Sequence, residues 1–147
     1  MRIPETLLEI QEFTGEGYIP LFDYGAWRVA MLRFIDDVLP ENIYKMQRHD
    51  ETDEVFVLLG GNCTLFVGEG KESIVKIYSQ FMQPFQVYNI KRSCWHALTL
   101  SKNGRVLIIE NRNTTDENSP FISLSSAQRQ EIINLAKKMV LKVSKEY

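Results

Sequence analysis

The sequence is short of the residues that mark several protein classes. Of its 147 residues only two are cysteine, Cys63 and Cys94. Two are too few for the disulfide framework of a small secreted domain, so both are expected as free thiols in a reducing cytoplasm. Glycine (8) and proline (5) are sparse, which excludes collagen-like and Pro-rich low-complexity chains. Neither charge sign dominates: 17 Lys and Arg against 19 Asp and Glu give a net charge of −2 and a pI of about 5.7. Without a cationic excess to displace counterions from phosphates, no nucleic-acid partner is expected. The longest unbroken apolar run is the five residues from Val55 to Leu59, far below the ~20 that a membrane helix needs. The opening Met1-Arg2-Ile3-Pro4-Glu5-Thr6 has no apolar stretch behind a basic start. No membrane span and no signal peptide are therefore expected. There is no internal repeat, no Gly-rich phosphate loop and no Gly-x-Ser-x-Gly elbow, so no nucleotide cofactor is expected.

What is present is a series of short β-suited runs with breaks between them. After an irregular or briefly helical opening comes the apolar stretch Tyr18 to Phe22, then a strand from Trp27 to Phe34 with Arg28 and Arg33 as outward candidates. Further runs are Glu54 to Leu59, Cys63 to Val67, Ile74 to Tyr78, Gln86 to Ile90, Ala97 to Leu100 and Val106 to Glu110. Gly60-Gly61-Asn62, Gly68-Glu69-Gly70, Pro84, the segment 91–93 and Lys102-Asn103-Gly104 separate them. Asn103-Gly104 is the strongest hairpin signal, because both residues tolerate positive φ. Six short strands at roughly ten-residue spacing predict an antiparallel sandwich or barrel.

The C-terminus changes character. A polar loop over about 113–124 leads to Ser125 and Gln128, which fit a capping box. Ile132, Leu135, Ala136, Met139 and Val143 then recur at helical spacing, with Lys137, Lys138, Lys142 and Lys145 near the negative end of the helix dipole. One helix of about 126–144 is expected, its apolar face packed on its own barrel or forming part of a homodimer contact. The whole chain, 1–147, is expected as a single domain with its barrel core at about 18–112.

The densest chemistry is Gln47-Arg48-His49-Asp50-Glu51-Thr52-Asp53-Glu54. Four carboxylates in five positions raise one another's pKa unless a cation compensates. The segment is either a solvated acidic turn or a strand entry that aims some of these groups at a divalent ion. Here the chain resembles the cupin superfamily, whose first motif is Gly-x5-His-x-His-x3–4-Glu-x6-Gly. His49 matches the second His, Glu54 the Glu and Gly61 the closing Gly; Gln47 stands in place of the first His and Glu41 in place of the leading Gly. Ser93-Cys94-Trp95-His96 resembles the centre of the second motif, Gly-x5-Pro-x-Gly-x2-His-x3-Asn, with His96 as its His. Phe85, Lys91, Ser93 and Leu100 depart from that motif's Gly, Pro, Gly and Asn.

The resemblance covers about 27–112 and implies an all-β double-stranded β-helix, a jelly-roll barrel, followed by the C-terminal helix. It also implies one divalent metal ion held by Gln47, His49, Glu54 and His96. Two imidazoles and a carboxylate with open positions suit iron and also manganese, nickel or zinc. In that setting Glu54, His49 and His96 are the catalytic candidates and Arg48, Glu51, Cys94 and Tyr44 the substrate-binding ones, with Arg48 and Arg112 offering guanidinium forks for a carboxylate. If His96 points inward, alternation sends Cys94 and Leu98 inward too; Cys94 also reads as a small buried hydrophobe, and His96 as barrel core. Trp27, Tyr44, Phe56, Phe66 and Tyr88 are either pocket lining or core. The implied function is a small cupin holding a polar, carboxylate-bearing small molecule, as a metal-dependent isomerase, lyase or dioxygenase. The other reading is a metal-free module that binds a metabolite or sugar without turning it over. The Ser-Cys-Trp-His segment and the Val-Phe-Val-Leu-Leu-Gly-Gly strand are faintly similar to ureidoglycolate lyases. Cupins of this size imply a homodimer.

Overall fold

A computed structural model describes residues 3–143. Met1, Arg2 and Lys145, and the side chains of Lys142 and Val143, lie outside the described residues. Ten strands form two antiparallel five-stranded sheets. The first has the order β1-β2-β9-β4-β7, from Gly17–Tyr24, Trp27–Arg33, Arg105–Asn111, Glu54–Gly60 and Val87–Ile90. The second has the order β10-β3-β8-β5-β6, from Phe121–Ser123, Lys45–Gln47, Trp95–Leu100, Cys63–Glu69 and Lys76–Phe81. No helix of the described residues is long and apolar enough to cross a membrane.

The expected runs all become strands. Two strands were not foreseen: β3 and β10 are three residues long, too short for periodicity to register, and β10 lies inside the expected polar loop. The stretch read only as apolar is β1, an eight-residue strand with a register shift between Pro20 and Phe22.

The two Gly-Asn turns are not hairpins. Gly60-Gly61-Asn62 carries the chain from β4 in one sheet to β5 in the other, and Lys102-Asn103-Gly104 carries it from β8 to β9. Neither Asn103 nor Gly104 adopts positive φ. The two arches lean on each other: Asn62 N–H donates to Ser101 Oγ at 2.8 Å, and Ser101 N–H donates to the Asn62 carbonyl at 2.9 Å. Gly61 sits at φ +71, where a Cβ would lie 2.6 Å from Gly104 Cα. Close backbone approach explains these glycines better than turn type does.

Between the sheets, Ala30, Phe56, Leu58, Leu65, Met82, Leu100, Val106 and Ile108 form the inner core. Beside it, sharing Phe56 and Leu98, a cavity remains between the sheets. A second apolar cluster lies on the outside of the second sheet, where α1 (Ser126–Val143) sets Ile132 and Ala136 against Met46, Phe66 and Trp95. The helix therefore packs on its own barrel, the first of the two readings. The Ser125–Gln128 cap forms in both directions, at 2.9 and 3.2 Å.

Candidate metal centre and its cavity

Strand alternation decides which polar groups enter the sandwich. On β4, Glu54, Phe56 and Leu58 are buried and turn inward. On β8 the inward set contains His96, which lies opposite Gln47 of β3. His49 follows β3 in a segment held like a strand: Arg48 N–H donates to the Pro120 carbonyl, Asp50 N–H to the Asn118 carbonyl, and the His49 carbonyl accepts from Ser93 N–H at 2.7 Å. His49 and Glu54, five residues apart, thus meet the distant His96 inside the sandwich.

Both imidazoles aim Nε2 at one oxygen. His49 Nε2 lies 3.0 Å and His96 Nε2 2.8 Å from Glu54 Oε2. All three residues are buried, and their ligand atoms lie within 4.8 Å of one another. The opposite ring nitrogens are pinned. His96 Nδ1 donates to the Cys94 carbonyl at 2.9 Å, and a carbonyl can only accept, so the proton is on Nδ1. Ser119 Oγ donates to Asn118 Oδ1 at 3.2 Å and accepts from His49 Nδ1 at 2.7 Å, which gives His49 the same tautomer. Neutral rings in this state would point two lone pairs at a carboxylate oxygen. Only a shared cation, proton or metal, reconciles the contacts. A ring nitrogen fixed by an outer hydrogen bond so that the other can ligate is the pattern of protein metal sites. The group could hold a divalent metal ion, and two imidazoles with a carboxylate fit iron, manganese, nickel or zinc alike.

Electrostatics agree with the geometry. Burial alone would raise the Glu54 carboxyl, but the hydrogen bonds from His49 and His96 outweigh it and hold the group at about 2. Burial would lower His49, and the bond to Glu54 outweighs that, leaving the ring above its ordinary value.

The cavity around this group has a volume of about 460 Å³ and is open to solvent, within the range of small-molecule sites. Phe56, Leu98 and Leu32 give it apolar walls; Tyr18, Arg28, Glu110, Asp116 and Ser119 give it polar ones. Arg28, expected to face outward, faces in: it is half-buried and forks onto Asp23 at 2.9 and 3.2 Å. Arg28 and Arg33 are five apart on one strand and cannot share a face. Glu110 is the functional candidate that the sequence did not single out. It is buried, accepts a short hydrogen bond from Tyr18 Oη, and is raised above the ordinary carboxyl value by burial, with the Glu54 charge adding to it. Its signal was an acid ending the apolar run Val106-Leu107-Ile108-Ile109.

Several expected site residues are elsewhere. Gln47 lines the cavity, but its amide nitrogen is turned to the Ser119 carbonyl at 3.2 Å. Tyr44 lies exposed at the mouth. Arg48 does not line the cavity: one residue past inward Gln47, it stacks on the Trp95 ring at 4.6 Å and pairs with Asp50 at 2.9 Å. Glu51 lies outside as well, accepting from Asn113 and Asn118. Asp53 holds the 89–92 segment, so of the four clustered acids Glu54 alone enters the sandwich. Cys94 does not line the cavity; it turns inward like Leu98 and packs against the inner core as a small hydrophobe, with its thiol pushed up by burial. Arg112 pairs with Asp23 at 3.6 Å on the surface. Of the aromatics, Tyr44 and Phe56 line the cavity, Phe66 and Tyr88 pack in the two cores, and Trp27 is exposed.

The architecture is a cupin-like β sandwich, two facing antiparallel sheets of five strands with one C-terminal helix among the described residues. The chain is similar to Pac13, a nucleoside dehydratase from Streptomyces, with 5% identity over 79% of this chain and 87% of Pac13 and a TM-score of 0.54. It is similar to the capsular polysaccharide assembling protein CapF from Staphylococcus aureus, with 14% identity over 83% of this chain but 34% of CapF, TM-score 0.54. A cupin-2 domain containing protein from Shewanella frigidimarina has 18% identity over 67% of this chain and 84% of its own, TM-score 0.46. At these identities the likeness is one of fold. No family model matches the sequence, and no curated protein matches it.

Proposed function

We propose that the protein is a metal-dependent cupin enzyme of the isomerase or lyase type, acting on a polar, carboxylate-bearing small molecule. The observation that carries this reading is the convergence of His49 Nε2 and His96 Nε2 on Glu54 Oε2, with both Nδ1 atoms already committed to outer partners. An ion held there supplies Lewis acidity toward a substrate oxygen. Glu110 has the features of a proton carrier: buried, raised, and facing the same cavity from the neighbouring strand. Tyr18 orients its carboxyl. Arg28 uses two of its five donors on Asp23 and has others for a substrate carboxylate, the part first expected of Arg48. A base beside a Lewis acid suits proton transfer next to a carboxylate more directly than oxygen chemistry. The two unpaired cysteines support a reducing, cytoplasmic setting.

The test is titration of chelator-treated protein with manganese, iron, nickel and zinc, followed by calorimetry and elemental analysis. One ion per chain is expected, lost in His49→Ala and His96→Ala. Failure of every ion to bind overturns the reading in favour of a metal-free binding module.

A further inference from the structure

We infer that the groove between α1 and the outer face of the β10-β3-β8-β5-β6 sheet is a second binding site, for a neutral aliphatic molecule carrying one hydroxyl or carbonyl oxygen. The helix covers only part of that face. Phe66 of β5 is paired in register with Ala97 of β8, and both belong to the cluster that Ile132 and Ala136 of α1 complete. Two residues along each strand, on the same face, Thr64 is paired with Thr99 and, on its other side, with Phe81 of β6. This row lies beyond the cluster. Ile133, Ala136 and Leu141 of the helix face it across a cavity of about 550 Å³ that opens to solvent, a volume suited to a small molecule.

The two threonines separate this groove from a plain packing gap. Thr64 is 4% and Thr99 9% exposed, and both line the cavity. Neither hydroxyl has a hydrogen-bond partner among the described residues. A hydroxyl withdrawn from water is costly unless it is bonded. Side chains opposed in register on neighbouring strands lie within reach of one common atom. One oxygen set between Thr64 and Thr99 therefore satisfies both.

The rest of the groove sets the class of molecule. Leu39, Phe81, Leu100, Ile133 and Leu141 supply apolar walls, and each methylene buried against them raises affinity about fourfold. Among the described residues the charged ones that line it are Glu41, on the short helical turn Pro40–Asn42, and Lys137 of α1. One charge of each sign gives an ionic head no net attraction, and an ion seated at the threonine pair would lack a counter-charge. The head group is therefore neutral. This groove lies on the other face of the second sheet from the metal-centre cavity, and nothing in its assignment rests on the reading of that centre.

The probe is 1-octanol, titrated into the full chain with methyl groups labelled for carbon-13 NMR. Saturable one-to-one shifts are expected at Ile133, Leu141, Thr64 and Thr99, with Leu32 and Leu98 of the metal-centre cavity unmoved. Octanoate and octylamine, of the same length but charged, should bind at least about tenfold more weakly. Thr64→Val and Thr99→Val keep the side-chain shape and remove a hydroxyl. Each should raise the unfolding midpoint of the ligand-free chain and weaken octanol about fivefold, a pair of effects that a purely structural threonine would not give. Absence of saturable binding overturns the inference, as do shifts at Leu32 and Leu98 in place of the groove. So does octanoate or octylamine binding as tightly as octanol, or a valine variant binding octanol as well as the native chain. Ile133 and Leu141 signals that move on dilution of the ligand-free chain overturn it too, because a second copy then fills the groove. Should a valine variant fail to fold, the comparison of octanol with its two charged analogues on the native chain decides.

Discussion

Glu54 and Glu110 are neighbours on the inner face of one sheet, one step along the ladder from the pair Val55 and Ile109, and their surroundings push them in opposite directions. Two imidazoles hold Glu54 ionised down to about 2. Glu110 has burial and the Glu54 charge against its ionisation, with the Tyr18 bond only partly offsetting them. Adjacent carboxylates driven apart in this way are the arrangement from which acid and base roles follow.

The difference predicts opposite arms of a stability profile for the metal-free protein. The Glu54 contribution is complete above the ordinary carboxyl value and disappears as pH falls from 4.5 toward 2; it amounts to at most about 3 kcal/mol. The Glu110 contribution runs the other way, complete below 4.5 and lost as pH rises through its raised value. Denaturant midpoints between pH 2 and 8, measured for Glu54→Gln and Glu110→Gln, should each lose one arm. A profile unchanged by either substitution contradicts the assigned environments.

His49→Ala and His96→Ala should abolish metal uptake while the sandwich stays folded, because neither imidazole belongs to the inner core. Each takes one hydrogen bond from a partner, Ser119 Oγ or the Cys94 carbonyl, and one from the buried Glu54 carboxylate, at a cost of about 1–3 kcal/mol. Retained circular dichroism with metal content at zero is the expected result. Unfolding in a protein that never bound metal would make the two histidines structural.

Tyr18→Phe removes the largest of the interactions that stabilise the Glu110 carboxylate, ahead of the His49 and Arg28 charges, so the Glu110 carboxyl should rise further. Carbon-13 shifts of labelled glutamates followed against pH measure this directly. An unmoved titration would mean that the Tyr18 hydroxyl does not engage Glu110 in solution.

Arg48→Ala should leave metal and ligand affinity unchanged and lower stability by about 1–2 kcal/mol, through loss of the Trp95 stack and the Asp50 pair. Isothermal titration with metal, alongside urea unfolding, separates the two effects. A loss of ligand affinity without loss of stability would return Arg48 to the cavity.

Gly61→Ala should cost about 2–4 kcal/mol, since it combines φ +71 with a Cβ 2.6 Å from Gly104 Cα. Chemical denaturation is the measurement; a cost below that of an ordinary surface substitution would show that the two arches part easily.

The sequence by itself determined the strand series, the C-terminal helix with its cap, and the fact that His49, Glu54 and His96 were the residues to watch. Period-two patterning and turn residues are local properties, and local properties survive without coordinates. It could not say which face each strand would bury, because the two most apolar runs do not alternate and so carry no parity. Arg28 was placed outside together with Arg33, although residues five apart on one strand cannot share a face. Arg48 and Glu51 were drawn to the centre by nearness in sequence, whereas their neighbours in space are Trp95, Asp50, Asn113 and Asn118. Only the tertiary structure brings Ser119 behind His49 and Glu110 beside Glu54. A charged group's partners are fixed by sheet register and strand order, which couple residues some sixty to seventy positions apart, and no local pattern encodes that distance.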